Sequence, residues 1–208
     1  MQDETFVELV RLTAKLFRVP IGIIAFVEEE EVRFGLNYGL APDVDRVNRW
    51  ETLCSVAMLR EEISVFEDLR DYPCALINPM LVHRLNLGFY AGCALRTAAG
   101  HSIGVLCVID HQPRRFSPAE ADLLQRLAGA VMSLLDLRLH LLQQPTWNQQ
   151  LWASVYARIE ASMTRLGTLA EVAGRATPAD TQANQDAALA EMGQIVDVLT
   201  AHLRALQG

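Results

Sequence analysis

Phe89-Tyr90-Ala91-Gly92-Cys93-Ala94-Leu95-Arg96-Thr97 leads through a turn at Gly100 into Ile103-Gly104-Val105-Leu106-Cys107-Val108-Ile109-Asp110. Both runs are apolar, with β-branched and aromatic residues, and the Ala-Gly-His segment between them carries turn chemistry. Two such runs around a short turn predict an antiparallel hairpin.

The rest of the chain is read outward from this hairpin. Upstream, Phe6, Leu9, Val10, Thr13, Leu16 and Phe17 recur at helical spacing, and Pro20 stops that helix. Ile21 to Val27 and Val32 to Tyr38 read as two strands, joined by a solvated turn of four carboxylates, Glu28 to Glu31. Gly39 to Arg49 shows no periodicity and reads as a loop. Thr52 to Leu59 and Pro79 to Leu85 read as short helices, with a short strand at Ile63 to Phe66. Downstream, Ser117-Pro118-Ala119-Glu120 combines an N-cap, a proline at the first helical position and a capping-box glutamate. The helix it opens carries Leu124, Leu127, Ala128, Val131, Leu134, Leu135 and Leu142 on one broad face. The class is α/β (α+β): a mainly antiparallel sheet flanked by helices, followed by a C-terminal α-helical hairpin.

The hairpin resembles the last hairpin of GAF domains, whose usual wording is close to Phe-Tyr-Ala-Gly-x-Pro-Leu, a glycine turn, then Gly-x-Leu-Cys-Val-x-Asp. Ala94 stands where that family often has proline. Further pieces in the family's order are Val19-Pro20, Cys54 before a short helix, Val65-Phe66-Glu67-Asp68 with Asp71 after it, and Asn78-Pro79. The resemblance runs from Phe6 to Arg138. It implies a sensory module that binds a small molecule or holds a dimer together, with a pocket between the sheet and the segment Trp50 to Tyr90. On this sequence the ligand-binding candidates are Trp50, Cys54, Phe66, Asp68, Asn78, Arg84, Phe89 and Tyr90. Phe66, Trp50, Phe89 and Tyr90 would give apolar walls; Asp68, Asn78 and Arg84 would give polar contacts. Asp68 and Asn78 are also the residue types that cap short helices.

Composition narrows the function. The 208 residues are 51% hydrophobic and 21% charged, which supports a substantial core. A net charge of −7 disfavours nucleic acid and anionic membrane as partners. No apolar run is long enough to span a bilayer, and the acidic Met1-Gln2-Asp3-Glu4 start is no signal peptide, so a cytoplasmic protein is expected. Cys54, Cys74, Cys93 and Cys107 form no metal-ligand spacing, and four free thiols are expected. Lys15 is the only lysine, so the lysine of cyclic-nucleotide GAF domains is missing from the pocket region. No Cys-His pair exists for covalent bilin attachment. No phosphate loop, Gly-x-Ser-x-Gly or HExxH is present. The expectation is a chain with no catalytic activity of its own.

Residues 1–142 read as the sensory domain and 143–208 as a two-helix hairpin. Thr146 and the Thr177-Pro178-Ala179-Asp180 segment read as caps of its two helices. Trp152, Val155, Ile159, Met163 and Leu166 repeat near heptad spacing, as do Leu189, Met192, Val196, Leu199 and Leu203. A lone hairpin cannot bury both stripes and their flanks, so a homodimer closing a four-helix bundle is expected, presenting a surface to a partner signalling protein. Two other readings stay open. The layout resembles that of sensor histidine kinases, and His140 stands the family's interval ahead of Pro145, which would make it a phosphoacceptor; the acid that should follow it is Leu141. Alternatively, Cys54 and Cys107 serve a thiol-based redox sensor or enzyme.

Overall fold

A computed structural model of the chain describes residues 2–41, 44–143, 149–174 and 182–206. The predicted hairpin lies inside the sheet: β5 (Phe89–Arg96) and β6 (Ser102–Asp110) pair from Phe89↔Asp110 to Arg96↔Ser102. Gly100 takes φ of +83° in the turn, a conformation that strains any side chain, and its N–H donates to the Thr97 carbonyl at 2.9 Å. β1 (Ile21–Val27) pairs with the far edge of β6, and β2 (Glu31–Tyr38) follows it. β4 (Ser64–Phe66) borders β5. A sixth strand, β3 (Arg46–Asn48), lies in the stretch expected to be a loop. Three residues cannot display a period, and it is the pairing of Val47 with Val32 of β2 that orders them. The order is β3-β2-β1-β6-β5-β4, antiparallel throughout.

Strand alternation divides the core between two faces. Ile24, Phe89, Ala91, Cys93, Leu95, Leu106 and Val108 face the long helices. Ile21, Ile23, Tyr90, Val105, Cys107 and Ile109 face α2 (Leu53–Met58), α3 (Pro79–Arg84) and the loops around them. On the first face lie α1 (Gln2–Phe17) and α4 (Pro118–Leu142). Gly22 lets α1 close on the sheet, since a Cβ there would stand 2.8 Å from the Val10 carbonyl oxygen. α1 ends at Phe17, and Arg18 turns the chain with φ of +53° ahead of Pro20. α4 opens with the predicted capping box: Ser117 Oγ accepts from Glu120 N at 3.2 Å, and the Glu120 carboxylate accepts from Ser117 N at 2.8 Å.

Leu123, Leu124, Leu127, Ala130, Val131, Met132, Leu134 and Leu137 of α4 are all buried. These positions go round the helix, so α4 requires cover on the side away from the sheet. That cover is α6 (Gln182–Ala205), while α5 (Gln149–Gly174) packs on α1 and α6. Val155, Ile159, Leu166, Met192, Val196, Leu199 and Leu203 are buried in one cluster with Phe6 and Leu9 of α1 and Leu124 and Leu127 of α4. Met163 and Leu189 pack half-buried against it, while the side chain of Trp152 lies outside the described residues.

Within one chain these stripes, expected to close a bundle with a second copy, are already covered. Counting the seams of an isolated hairpin omits the apolar outer surface that α1 and α4 offer. Polar contacts fix the docking. Arg126 of α4 bridges Asp122, at 2.7 Å, and Asp197 of α6. Arg18 donates to the Ala173 carbonyl of α5, and Arg204 Nε donates to Ser133 Oγ at 3.3 Å. His140 sits half-buried in the last turn of α4. Pro145, Thr146 and residues 177–180, read as the hairpin's break and caps, lie outside the described residues.

Candidate functional site

On the loop face, α2 presses a thiol onto the middle of the sheet. Thr52 caps α2, its Oγ1 accepting from Cys54 N at 3.2 Å, and this sets Cys54 in the first turn, facing inward. Cys54 Sγ lies 3.9 Å from Cys107 Sγ of β6. The Tyr90 hydroxyl donates to Cys54 Sγ at 3.6 Å. Tyr90 reaches across because Gly92, two residues along the same face of β5, has no side chain: a Cβ there would lie 2.4 Å from Tyr90 Oη. Gly92 pairs with Cys107 in the β5–β6 register, so the phenol and both thiols meet over one point of the sheet.

All three side chains are buried, with Tyr90 only 1% exposed. Hydrogen bonding from Cys107, then from Tyr90, holds the Cys54 thiol below its ordinary value despite burial. The same Cys54–Cys107 hydrogen bond, with burial, pushes Cys107 well up. Burial chiefly, with the two thiols beside it, raises Tyr90.

The other residues expected around a pocket are dispersed. Phe89 is corrected to the opposite face, where it packs on Phe116 with ring centroids 5.5 Å apart. Adjacent strand residues point to opposite sides, so Phe89 and Tyr90 cannot wall one pocket. Trp50 sits in a 3₁₀ turn, Arg49–Glu51, and is 75% exposed under the Arg49 guanidinium, so it walls nothing. Asp68 Oδ1 accepts from Arg70 N and Asp71 N at 3.0 and 3.1 Å, and Asn78 Oδ1 accepts from Met80 N at 2.9 Å. Both thus fix turns of backbone. Arg84 closes α3, its side chain outside the described residues. Phe66 keeps a wall position. It is half-buried, packs edge-on against Tyr90 at 6.2 Å, and lines a groove of about 610 Å³ with Asp68, Tyr72, Arg114 and Arg115.

Arg114 and Arg115 escaped the sequence reading. Their one signal was a doubled arginine just ahead of the Ser117 cap. Arg114 lies over the rings of Phe89 and Phe116, donates to the Phe17 carbonyl and pairs with Glu120. Arg115 pairs with Glu67 at 3.0 Å. On the other side of this loop opens a second cavity, of about 950 Å³. Its walls come from the end of α1, the start of α4, the end of α5 and the start of α6, including Phe17, Phe116, Ala173, Ala188 and Met192. Arg18, Glu67, Glu120 and Asp186 give it a charged rim.

The sequence matches the GAF domain family over residues 2–135. The chain belongs to this family. GAF domains of solved structure share the fold: that of PixJ from Thermosynechococcus elongatus, in its blue-light-absorbing form, aligns with a TM-score of 0.56 at 17% identity, covering 75% of this chain and 93% of that one. Free methionine-R-sulfoxide reductase from Neisseria meningitidis aligns with a TM-score of 0.55 at 15% identity, covering 65% and 78%. In sequence, a Pseudomonas aeruginosa protein named as a cyclic di-GMP phosphodiesterase is 30% identical over 146 residues, which are 70% of this chain and 24% of that protein. The chain thus spans about a quarter of that relative's length. These matches overturn the expectation that catalysis has no place here. The Pseudomonas relative is named for an enzymatic activity, and the Neisseria protein of like fold is named as a reductase. Among the described residues, no helix is long and apolar enough to cross a membrane.

Proposed function

We propose that the chain is the regulatory GAF module of a signalling enzyme of the cyclic di-GMP phosphodiesterase class. It takes a small ligand at the junction of the GAF domain and the α5–α6 hairpin and alters how firmly the hairpin is docked. The observation that carries this reading is the 950 Å³ cavity, whose walls come from both parts of the chain. An occupant contacts α1 and α4 on one side and α5 and α6 on the other, so its binding energy depends on their mutual position. The apolar floor of Phe17, Phe116 and Met192 beneath a charged rim suits a molecule with an apolar body and hydrogen-bonding groups. The class of output follows the activity for which the Pseudomonas relative is named.

A metabolite screen by thermal shift tests the site. A ligand at 100 times its Kd adds about 2.7 kcal/mol to stability. Ala188→Trp, which fills the cavity, is expected to leave the unliganded Tm in place and abolish the ligand's shift. A shift that survives Ala188→Trp but is lost in Phe66→Ala places the ligand in the neighbouring groove and contradicts the assignment. For the output, a chimera carrying this chain in place of the matching segment of the Pseudomonas protein is expected to change its cyclic di-GMP hydrolysis when ligand binds. An unchanged rate with ligand bound contradicts it.

A further inference from the structure

The geometry points to Cys54 and Cys107 as a peroxide-oxidised dithiol that closes to a disulfide between α2 and β6. This is a covalent modification site, separate from the ligand cavity and independent of it. The two sulfurs stand 3.9 Å apart, at contact distance, and a bond of about 2.05 Å needs them to approach by about 2 Å. The elements that carry them divide the movement unequally. Cys107 is held at the centre of the sheet, with β1 on one side of its strand and β5 on the other. Cys54 rides on a six-residue helix set between loops, so the larger part of the movement is assigned to α2. Pairing is selective because Cys93, although on the adjacent strand, faces the long helices on the opposite side of the sheet.

A small oxidant would approach from the side of the groove. Phe66 lines it and packs on Tyr90, and Tyr90 touches Cys54, so two aromatic side chains stand between the open surface and the buried thiols.

The sulfurs differ in role. Cys54 receives the hydrogen bond from Tyr90, which favours its thiolate. The thiolate attacks one oxygen of a hydroperoxide, ROOH. The O–O bond breaks, a Cys54 sulfenic acid forms, and the departing RO⁻ takes up the proton Cys54 gave up. Cys107 then attacks the sulfenic sulfur: the S–S bond forms, the S–O bond breaks, and hydroxide leaves with the Cys107 proton as water. Two thiols and one ROOH become one disulfide, one ROH and one water. The lowered Cys54 and raised Cys107 thiols agree with this order of attack.

The test is intact-mass and non-reducing peptide mapping of the folded full chain after hydrogen peroxide treatment. The expected result is loss of the mass of two hydrogens, a single linked peptide pair joining Cys54 to Cys107, and reversal by dithiothreitol. In Cys107→Ala the Cys54 sulfenic acid is expected to persist and to be trapped by dimedone. Cys107→Ser gives a second background should the alanine variant fold poorly. Linkage through Cys74 or Cys93 would overturn the proposal. So would oxidation of Cys54 to sulfinic acid in the wild type with no link formed, or no mass change at peroxide levels that oxidise free cysteine.

Discussion

Tyr90 has room for its ring because Gly92 is bare, and its hydroxyl finds a sulfur acceptor because α2 delivers Cys54 to the same spot. Gly92→Ala should therefore force the phenol aside and overpack the loop-face core, costing about 1–3 kcal/mol. Urea denaturation would show this as a lower midpoint at unchanged slope, and an unaltered midpoint would mean that the ring has somewhere else to go. A second residue-scale prediction concerns Cys93. Burial pushes its thiol up to about 11, with Arg96 opposing. The folded state keeps the proton that the unfolded state releases near pH 8.5. The associated stability is complete below that pH, and falls away as pH rises toward the folded value. The loss amounts to roughly 3 kcal/mol. Between pH 7 and 10.5 the wild type should lose more stability than Cys93→Ala. Parallel losses in the two proteins would show that Cys93 titrates normally.

At the scale of elements, most of the architecture was readable beforehand. The hairpin, β1, β2, α1 and the start of α4 carry strong local signals: alternation, helical periodicity, and a cap whose hydrogen bonds are formed as expected. Ser117→Ala should remove that cap and cost about 1 kcal/mol. Thermal denaturation of the variant measures it, and a Tm within error of wild type would mean that the Arg114–Glu120 pair holds the helix start alone. What was not readable was set by long-range pairing. β3 is too short to show a period and is ordered by β2. The resemblance points to the whole segment Trp50 to Tyr90 and does not resolve faces within it, whereas alternation sends Phe89 and Tyr90 to opposite sides. Trp50 belongs to that segment, but its turn leaves it on the surface. Arg114 acquires its role only when α1 brings the Phe17 carbonyl to it.

In the molecule as a whole, the hairpin shares its apolar core with the GAF helices. The heptad stripes were legible, but what covers them was not, since any apolar surface satisfies a heptad stripe and the sequence does not say which arrives first. α4 joins the two parts: its start borders the cavity of about 950 Å³, its inner face lies on β5, and its outer face carries α6. Loosening the hairpin should therefore be felt in α4. The direct measurement is amide hydrogen exchange by mass spectrometry on wild type and Val196→Glu, which puts a charge into the buried α4–α6 contact, where an unpaired charge costs several kcal/mol. Faster exchange is expected in α6 and in α4 together, with β5 and β6 still protected. Faster exchange confined to α5 and α6, with α4 as slow as in the wild type, would contradict it and show that the hairpin and the GAF domain stand apart.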